Sequence, residues 1–295
     1  MEHEVTNVVP LRPALPGAAA LQWRARAFAL GVWLRSEVPR DARVYQILFL
    51  GSLLSFGVLA RDFSLHGEQM LLTFAAGAAT QAFWLHRKGL RQRGYLSAIV
   101  TCFGLSILLR ADSLWVHPLA AALAISAKFV IRVNGKHLFN PANFGLLTAI
   151  GLLPGAWTSP GQWGNGLAAA VWFVALGGIV TQRARRADIA WIFLATWLAI
   201  VALRVAWLGQ SWSVWLHQLG NGGLLLFAFF MISDPMTIPN RTAMRIAYAV
   251  IVAAIAYVWQ FGWFRPNALP WALLIATPLV PLLDRLAPAP VHRWK

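Results

Sequence analysis

The chain is organised as a series of long apolar runs separated by short polar segments. Each run is about 15 to 20 residues long, close to the length that a helix needs to cross the hydrocarbon core of a bilayer. This pattern predicts an all-α, polytopic membrane protein with about ten transmembrane helices. The ten predicted spans are Val44–Ala60, Gln69–His86, Tyr95–Leu109, Leu114–Val133, Pro141–Ala156, Gly164–Thr181, Ile189–Leu208, Val214–Ser233, Thr242–Phe261 and Ala268–Leu283.

The distribution of positive charge supports this span count. If the N-terminus is cytoplasmic and every run crosses the bilayer, 21 of the 25 Lys and Arg residues fall on the cytoplasmic side. Only Arg61, Arg110, Arg204 and Arg265 fall outside. Because cytoplasmic loops of membrane proteins are enriched in Lys and Arg, both termini are predicted to be cytoplasmic.

Three regions follow from this pattern. Residues 1–43 form a cytoplasmic arm, in which Trp23–Val38 mixes arginines with large apolar side chains and predicts an amphipathic helix on the membrane surface. Residues 44–285 form the membrane domain, and residues 286–295 form a cytoplasmic tail. Ten spans divide into five and five, which would make the two halves inverted repeats, although the halves share little sequence.

Composition narrows the class of protein further. The chain is 59% hydrophobic and only 12% charged, whereas soluble domains carry about 25% charged residues. The formal net charge of +15 is explained by the cytoplasmic loops, so no nucleic-acid partner is predicted. The single cysteine, Cys102, excludes an internal disulfide and a cysteine-ligated metal centre.

Two polar stretches interrupt the apolar pattern: KHLFNPANFG (residues 136–145) and FMISDPMTIPNR (residues 230–241). In the first, Asn140 followed by Pro141 predicts a helix that is capped by Asn140 and begins at Pro141. In the second, Asp234 before Pro235 predicts the end of a span, and a new helix is expected to start at Asn240. A carboxylate near membrane depth needs a partner, and Lys128 and Arg132 are the candidates from sequence.

These stretches have two interpretations. They are ordinary loops whose Asn residues only cap helices, or they form a polar ligand site. The second interpretation rests on a helix N-terminus that lies beside Lys136, His137 and Asn143, an arrangement that suits an anionic or polar headgroup.

The two stretches together resemble the RnfD/NqrB family, whose members are membrane subunits of the Rnf electron-transport complex and of the sodium-translocating NADH:quinone oxidoreductase. The family carries FNPA after an early span and F-F-M-x-(T/S)-D-P before a late one. Here these are Phe139–Ala142 and Phe229–Pro235. The resemblance implies a ten-helix flavoprotein of the bacterial inner membrane that passes electrons within a larger complex and is coupled to sodium or proton movement.

The resemblance also implies a position for a covalent flavin, and this chain departs from the family there. Family members usually carry FMN on a threonine of an S-G-A-T type motif after span 5, outside the membrane. The matching loop here reads LLPGAWTSPGQWGNG and lacks that motif. We therefore expect FMN or riboflavin to be bound non-covalently.

The predicted site contains no catalytic and no metal-ligating residue of its own. Any oxidoreductase activity, of the NADH:quinone or ferredoxin:NAD type, is expected to belong to an assembly with other membrane or flavoprotein subunits in the bilayer. The predicted cofactor-binding residues are Lys136, His137, Asn140, Pro141, Asn143, Ser233, Asp234, Pro235 and Thr237.

Two alternatives remain open from the sequence. The missing S-G-A-T motif favours a solute or ion transporter, or a channel, that uses the same helical scaffold without a redox role. Histidine pairs on neighbouring spans, His117 with His217 or His86 with His137, have the chemistry to ligate a haem, although their spacing is not diagnostic.

Overall fold

A computed structural model describes residues 41–60, 66–90, 94–159 and 167–292. The predicted amphipathic helix at residues 23–38, most of the N-terminal arm and the last three residues of the tail lie outside these ranges. The described chain is mostly helical, as the sequence predicts. The first half contains α1 (Ala42–Ala60), α2 (Gly67–Arg87), α3 (Tyr95–Leu108), α4 (Val116–Val130) and α5 (Pro141–Leu152).

The second half contains helices that are interrupted more often. Its elements are α6 (Leu167–Arg183), α7 (Ala187–Trp207), α8 (Trp212–Leu219), α9 (Gly222–Leu226), a π-helical turn (Phe227–Met231), α10 (Thr242–Tyr257), a second π-helical turn (Val258–Gly262), α11 (Ala268–Ala276), a 3-10 turn (Thr277–Leu279) and α12 (Val280–Leu286).

Two short antiparallel sheets accompany the helices, so the all-α prediction is incomplete. Strand β1 (Leu109–Ala111) pairs with β4 (Ala156–Thr158), which joins the segment after α3 to the segment after α5. Strands β2 (Arg132–Val133) and β3 (Lys136–His137) form a hairpin between α4 and α5. Backbone polar groups that leave a helix inside an apolar bundle need partners, and these ladders supply them.

Every predicted apolar run coincides with a helical segment, but the helices differ in length. In the described ranges, four helices are long and apolar enough to cross a bilayer: Ala42–Leu59, Ala187–Trp207, Thr242–Gly262 and Ala268–Leu286. A fifth span results if Trp212–Leu219 and Gly222–Met231, bent by 46°, are counted together. Four other apolar helices are shorter, at 10–17 residues. The membrane-helix character is confirmed, and the count of ten spans stays a prediction.

Helix α2 is less apolar than its neighbours because one of its faces is a buried polar stripe. Gln69, Thr73, Gly77 and Gln81 recur every four residues, so they share one face of the helix, and all are buried. The Thr73 hydroxyl lies 3.1 Å from Nδ1 of His117, and Nζ of Lys128, also in α4, donates to Oε1 of Gln81 at 2.8 Å. Hydrogen bonds between polar side chains of this kind stabilise helix pairs inside a bilayer.

The same pairs of helices pack together in both halves. Helix α2 packs closely against α4, and α4 packs against α5. In the second half, α7 packs against α10, and α10 packs against α11. The halves contact each other through α1 with α6 and through α5 with α11.

Glycine allows a close helix approach in the second half. A Cβ atom added at Gly177 of α6 would lie 2.7 Å from the Cβ and Cγ atoms of Phe229 in the π-helical turn, whereas one at the adjacent Gly178 would meet nothing within 4 Å. The contact at Gly177 therefore fixes how closely α6 approaches the π-helical turn.

We expect Gly177→Ala to destabilise the protein by about 1–3 kcal/mol, because the added methyl group overpacks a well-filled contact. Gly178→Ala is the matched control and should be neutral or slightly stabilising, because alanine restricts the unfolded chain. The thermal unfolding midpoints of the detergent-solubilised variants measure both effects. Equal midpoints for the two variants would contradict this account of the packing.

Candidate functional site

The two polar stretches lie against each other in the structure. The first stretch begins in the β2–β3 hairpin, where Asn134 (φ 51°) and Gly135 (φ 81°) both adopt left-handed backbone. Two such residues in succession form a tight hairpin turn, which places Lys136 and His137 in the strand that follows. Asn140 then caps α5, because its Oδ1 accepts a hydrogen bond of 3.0 Å from the backbone N–H of Asn143. The predicted start of α5 at Pro141 is confirmed.

Asp234 is held by the first stretch. Its Oδ2 lies 3.5 Å from Nε2 of His137 and accepts from Nδ2 of Asn140 at 3.5 Å. Its Oδ1 accepts from the backbone N–H of Met236 at 3.0 Å. The carboxylate is thus shared between the turn that follows the π-helical turn and the start of α5.

The two cations predicted as partners of Asp234 make their hydrogen bonds to other groups. Nζ of Lys128 donates to Oε1 of Gln81 at 2.8 Å, within the polar face of α2. The Arg132 guanidinium donates to the carbonyl oxygens of Lys128 and Gly135. Both cations therefore serve the first half of the chain, while the hairpin brings His137 to Asp234.

Lys136 makes the second connection between the stretches. Its Nζ donates to the carbonyl oxygen of Ile238 at 2.5 Å, to Oδ1 of Asn240 at 3.3 Å and to Oδ2 of Asp284 at 3.0 Å. Oδ1 of Asp284 accepts from the backbone N–H of Asn240 at 2.7 Å. Helix α10 begins at Thr242, the first residue of the predicted span, with Arg241 as its cap, and the helix start expected at Asn240 was two residues early.

Sequence reasoning missed Asp284, which completes this connection. The available signal was that Asp284 is the only carboxylate after Asp234 in the sequence. A lone acidic residue in an apolar C-terminal helix needs a cationic partner, and Lys136 was already a candidate site residue.

The remaining predicted residues are tied to backbone within the same region. Nδ2 of Asn143 donates to the carbonyl oxygen of Pro270 at 3.0 Å, linking α5 to α11. The hydroxyls of Ser233 and Thr237 donate to the carbonyl oxygens of Phe229 and Asp234, respectively. Oδ1 of Asn143 is buried and has no hydrogen-bond donor among the described residues.

A small cavity of about 80 Å³, here called the motif cavity, adjoins this cluster. Of the nine predicted site residues, five line it: Asn140, Pro141, Ser233, Asp234 and Pro235. Lys136, His137 and Thr237 line a separate hollow of about 10 Å³. The predicted residues therefore come together in the fold, but they do not surround one large cavity.

A larger cavity of about 330 Å³ lies between the two halves, is lined mostly by residues of the second half, and was not predicted. We call it the Trp197 cavity; its volume lies within the usual range of ligand pockets. Its apolar wall is formed by α3, α5, α9, the first π-helical turn and α11, and its polar groups come mostly from the breaks between helices. The polar lining residues are Thr158, Trp197, Gln218, Asn221, Gln260, Arg265 and Asn267.

The breaks that shape the Trp197 cavity follow from local sequence. Asn221 caps α9 by accepting a hydrogen bond of 3.0 Å from the backbone N–H of Leu224. Asn267 precedes α11 in left-handed backbone, with φ of 57°. In the sequence, Asn221 is flanked by Gly220 and Gly222, and a glutamine such as Gln260 gives no signal.

The two cavities are neighbours. Leu108 at the end of α3 and Met231 at the end of the π-helical turn line both of them. Nδ2 of Asn140 donates to the carbonyl oxygen of Met231 at 3.3 Å, so the first stretch also holds part of this shared wall.

Sequence comparison relates part of the chain to a known family. A profile of the NQR2, RnfD, RnfE family matches residues 158–292, which include the second polar stretch and most of the Trp197 cavity. The matched residues make up just under half of this chain, and over that part it is similar to the NQR2, RnfD, RnfE family. The resemblance read from the two stretches is thereby confirmed, although the first stretch lies outside the matched residues.

Curated relatives share one name, that of the D subunit of an ion-translocating oxidoreductase complex. The relative from Stutzerimonas stutzeri is 38% identical over 71 residues, which are 24% of this chain and 20% of that protein. The relative from Citrobacter koseri is 31% identical over 137 residues, 45% of this chain and 36% of that protein. That from Escherichia coli (strain K12 / DH10B) is 31% identical over 140 residues, with the same coverage of 45% and 36%. The chain thus matches about a fifth to a third of its relatives' length.

Charge state links the polar cluster to pH. Burial pushes the pKa of Asp234 up, but the hydrogen bond and charge of His137, the Met236 N–H and Lys136 together leave that pKa below its ordinary value of 3.8. Burial lowers the pKa of Lys136, and Asp284 partly restores it. Asp234 is therefore held as a carboxylate at neutral pH.

We expect the cluster to stabilise the protein at neutral pH and to lose this contribution in acid. Because the pKa of Asp234 is lowered by folding, its stabilisation is present above about pH 4 and is lost as the pH falls below the unfolded-state pKa. Asp234→Asn should be less stable than the wild type at pH 7, and the difference should shrink toward pH 3. Thermal unfolding across this pH range measures it.

Glu68→Gln is the control, because Glu68 is exposed on α2. Its unfolding midpoint should follow that of the wild type at every pH. A gap between Asp234→Asn and the wild type that is as large at pH 3 as at pH 7 would contradict the assigned role.

Proposed function

We propose that this chain is an integral membrane subunit of an ion-coupled electron-transport assembly of the Rnf or Nqr type, and that it binds FMN or riboflavin non-covalently. The observation that carries the proposal is the Trp197 cavity. It is lined by Thr158, in the segment after α5 where the family resemblance places the flavin.

The chemistry of the cavity suits an isoalloxazine ring. The ring has flat apolar faces and polar edges that carry both carbonyl oxygens and an N–H. Leu146, Leu224 and Phe227 offer apolar surface, and the amides of Gln218 and Gln260 offer donors and acceptors. Among the described lining residues Arg265 is the sole charged group, which favours an electron-rich or phosphate-bearing ligand.

A flavin held there would supply one- and two-electron transfer, and the residues of this chain would bind and orient it. Non-covalent binding is supported by the loop sequence, which lacks the S-G-A-T motif, and by the Thr158 hydroxyl, which donates to Oδ1 of Asn267. That hydroxyl already serves the junction between β4 and α11.

The nine residues predicted from sequence enter the proposal in one of two ways. The motif cavity of about 80 Å³ is below the range of ligand pockets, so the ring itself is better accommodated on the other side of Leu108 and Met231. Asn140 and Asp234 would then act on the ligand through the shared wall, because Asn140 holds the carbonyl of Met231. In the alternative form of the proposal, the nine residues contact a polar end of the flavin directly.

The proposed setting is the bacterial inner membrane, with ten spans, both termini cytoplasmic and two inverted five-span repeats. The packing of α2 with α4 and α5 in the first half, matched by α7 with α10 and α11 in the second, supports the repeat. Electron donor, acceptor and ion movement would come from partner subunits, membrane-bound or flavoprotein, so the chain would not turn over a substrate alone.

A second candidate function has its own supporting observation. Two polar-lined cavities that meet at Leu108 and Met231 are also the arrangement of a transporter or channel in which apolar side chains close the path. A transporter without a redox role would need no flavin. The two functions therefore differ in a single measurable property.

We expect the purified protein to show flavin absorbance, and we expect this absorbance to move into the supernatant after acid precipitation. Visible spectra of the detergent-solubilised protein and of both fractions test this. Absorbance that stays in the pellet would contradict non-covalent binding. A colourless protein that neither binds added riboflavin nor binds added FMN would overturn the flavin proposal, and solute flux in proteoliposomes would then test the transporter.

Variants separate the two forms of the proposal. Asn140→Ala and Asp234→Ala are expected to weaken flavin binding. If the nine residues contact the flavin directly, the Asn140→Ala and Asp234→Ala variants should bind riboflavin and FMN more weakly. The Leu224→Ala variant, altered in the Trp197 cavity, should then bind both normally. If the ring lies in the Trp197 cavity, Leu224→Ala should weaken binding as well.

A further inference from the structure

Trp197 presents a buried hydrogen-bond donor that no other described residue uses. Its side chain is 2% exposed, and its indole Nε1 has no acceptor among the described residues. The residue lines the Trp197 cavity. A buried polar group without a partner costs free energy, so the position calls for an acceptor from outside the described chain.

Three other tryptophans of the described chain donate to partners within the protein. Nε1 of Trp84 donates to Oγ of Ser126 at 3.0 Å, and Nε1 of Trp215 donates to the carbonyl oxygen of Leu198 at 2.8 Å. Even the indole of Trp259, on the second π-helical turn, donates to the carbonyl oxygen of Pro266. The indole N–H of Trp197, a residue that lines a cavity, has no such partner among the described residues.

The position of Trp197 is well defined by its neighbours. Its ring stacks on Phe261 with centroids 6.3 Å apart and an interplanar angle of 25°. Phe261 is itself covered by the Arg204 guanidinium, 4.5 Å from its centroid. The stack fixes the plane of the indole before any ligand arrives, so little side-chain entropy is lost when the N–H is used.

The depth of the donor in the bundle is also informative. Trp197 lies ten residues before the end of α7, which corresponds to about 15 Å along the helix axis. At that depth the environment is apolar, and a hydrogen bond is stronger there than at the surface. An acceptor that reached Trp197 would be oriented by this single contact.

We propose that the indole N–H of Trp197 donates to a ring carbonyl oxygen of the flavin and so sets both its orientation and its reduction potential. This inference rests on the proposed function and identifies one binding residue of that site. Reduction places negative charge on the isoalloxazine ring, so a donor at a carbonyl oxygen stabilises the reduced form more than the oxidised form. The contact therefore raises the midpoint potential of the bound flavin.

The test uses Trp197→Phe, which keeps an aromatic ring to stack on Phe261 and removes the N–H. We expect riboflavin to bind about 3- to 10-fold more weakly, the loss expected for one hydrogen bond. We also expect the midpoint potential of the bound flavin to fall. Fluorescence titration with riboflavin and a spectroscopic redox titration of the full-length protein in detergent measure the two effects.

Trp215→Phe is the matched control, because it removes an indole N–H that already has a partner and lies outside the lining of the cavity. It should leave the affinity and the midpoint potential at wild-type values. If Trp197→Phe and Trp215→Phe give the same affinity and potential, the inference is overturned while the proposed function stands. If the wild type binds neither riboflavin nor FMN, both are overturned.

A measurement on the wild type covers the case in which Trp197→Phe does not fold. Infrared difference spectra of riboflavin labelled with ¹³C at one ring carbonyl, then at the other, report the hydrogen bonding of each oxygen. A downshift of one carbonyl stretch relative to riboflavin in an aprotic solvent is expected. Two carbonyl stretches at the aprotic values would overturn the inference.

Discussion

The structure depends on one constraint: wherever a helix breaks inside the apolar bundle, the freed backbone groups must find partners within the protein. Helix α5 starts inside the fold, and Asn140 both caps it and holds the carbonyl oxygen of Met231. Helix α9 starts inside the fold as well, and Asn221 caps it. Each break therefore recruits an amide side chain, and the two cavities lie beside these breaks.

The same constraint explains why two buried cations, Lys136 and Arg245, lie beside one non-helical segment. The segment between the first π-helical turn and α10 is not helical, so its carbonyl oxygens need donors. Nζ of Lys136 and the guanidinium of Arg245 supply them, at the carbonyls of Ile238 and Asn240. These cations are in turn balanced by Asp284 and Asp188. A charge pair that also satisfies backbone groups offsets its own desolvation cost better than an isolated pair does.

Much of this was accessible from sequence, for a physical reason. Helix caps such as Asn140–Pro141 are local, so the start of α5 followed from two residues. The apolar runs were equally predictable, because each helix must bury an apolar face or contact lipid. Contacts across the bundle are not local, so the sequence did not identify them. Lys128 and Arg132 were the predicted partners of Asp234, but the left-handed turn at Asn134 and Gly135 places His137 beside it instead. The residues that line the Trp197 cavity come from seven separate segments, so no single stretch of the sequence predicts it.

The difference between the two cavities suggests how a motif and a ligand site come to be separate. Most polar groups of the motif residues are already paired: Asp234 with His137, Lys136 with Asp284, and Nδ2 of Asn143 with the carbonyl of Pro270. The exception is Oδ1 of Asn143, which has no donor among the described residues. A polar group that is already paired has little to offer a ligand. The wall of the Trp197 cavity instead keeps a donor buried and unused among the described residues. A preorganised binding site requires a fixed wall and a free hydrogen-bonding group. Here the motif residues hold the wall at Met231 from one side, and the unused donor on the other side is left for the ligand.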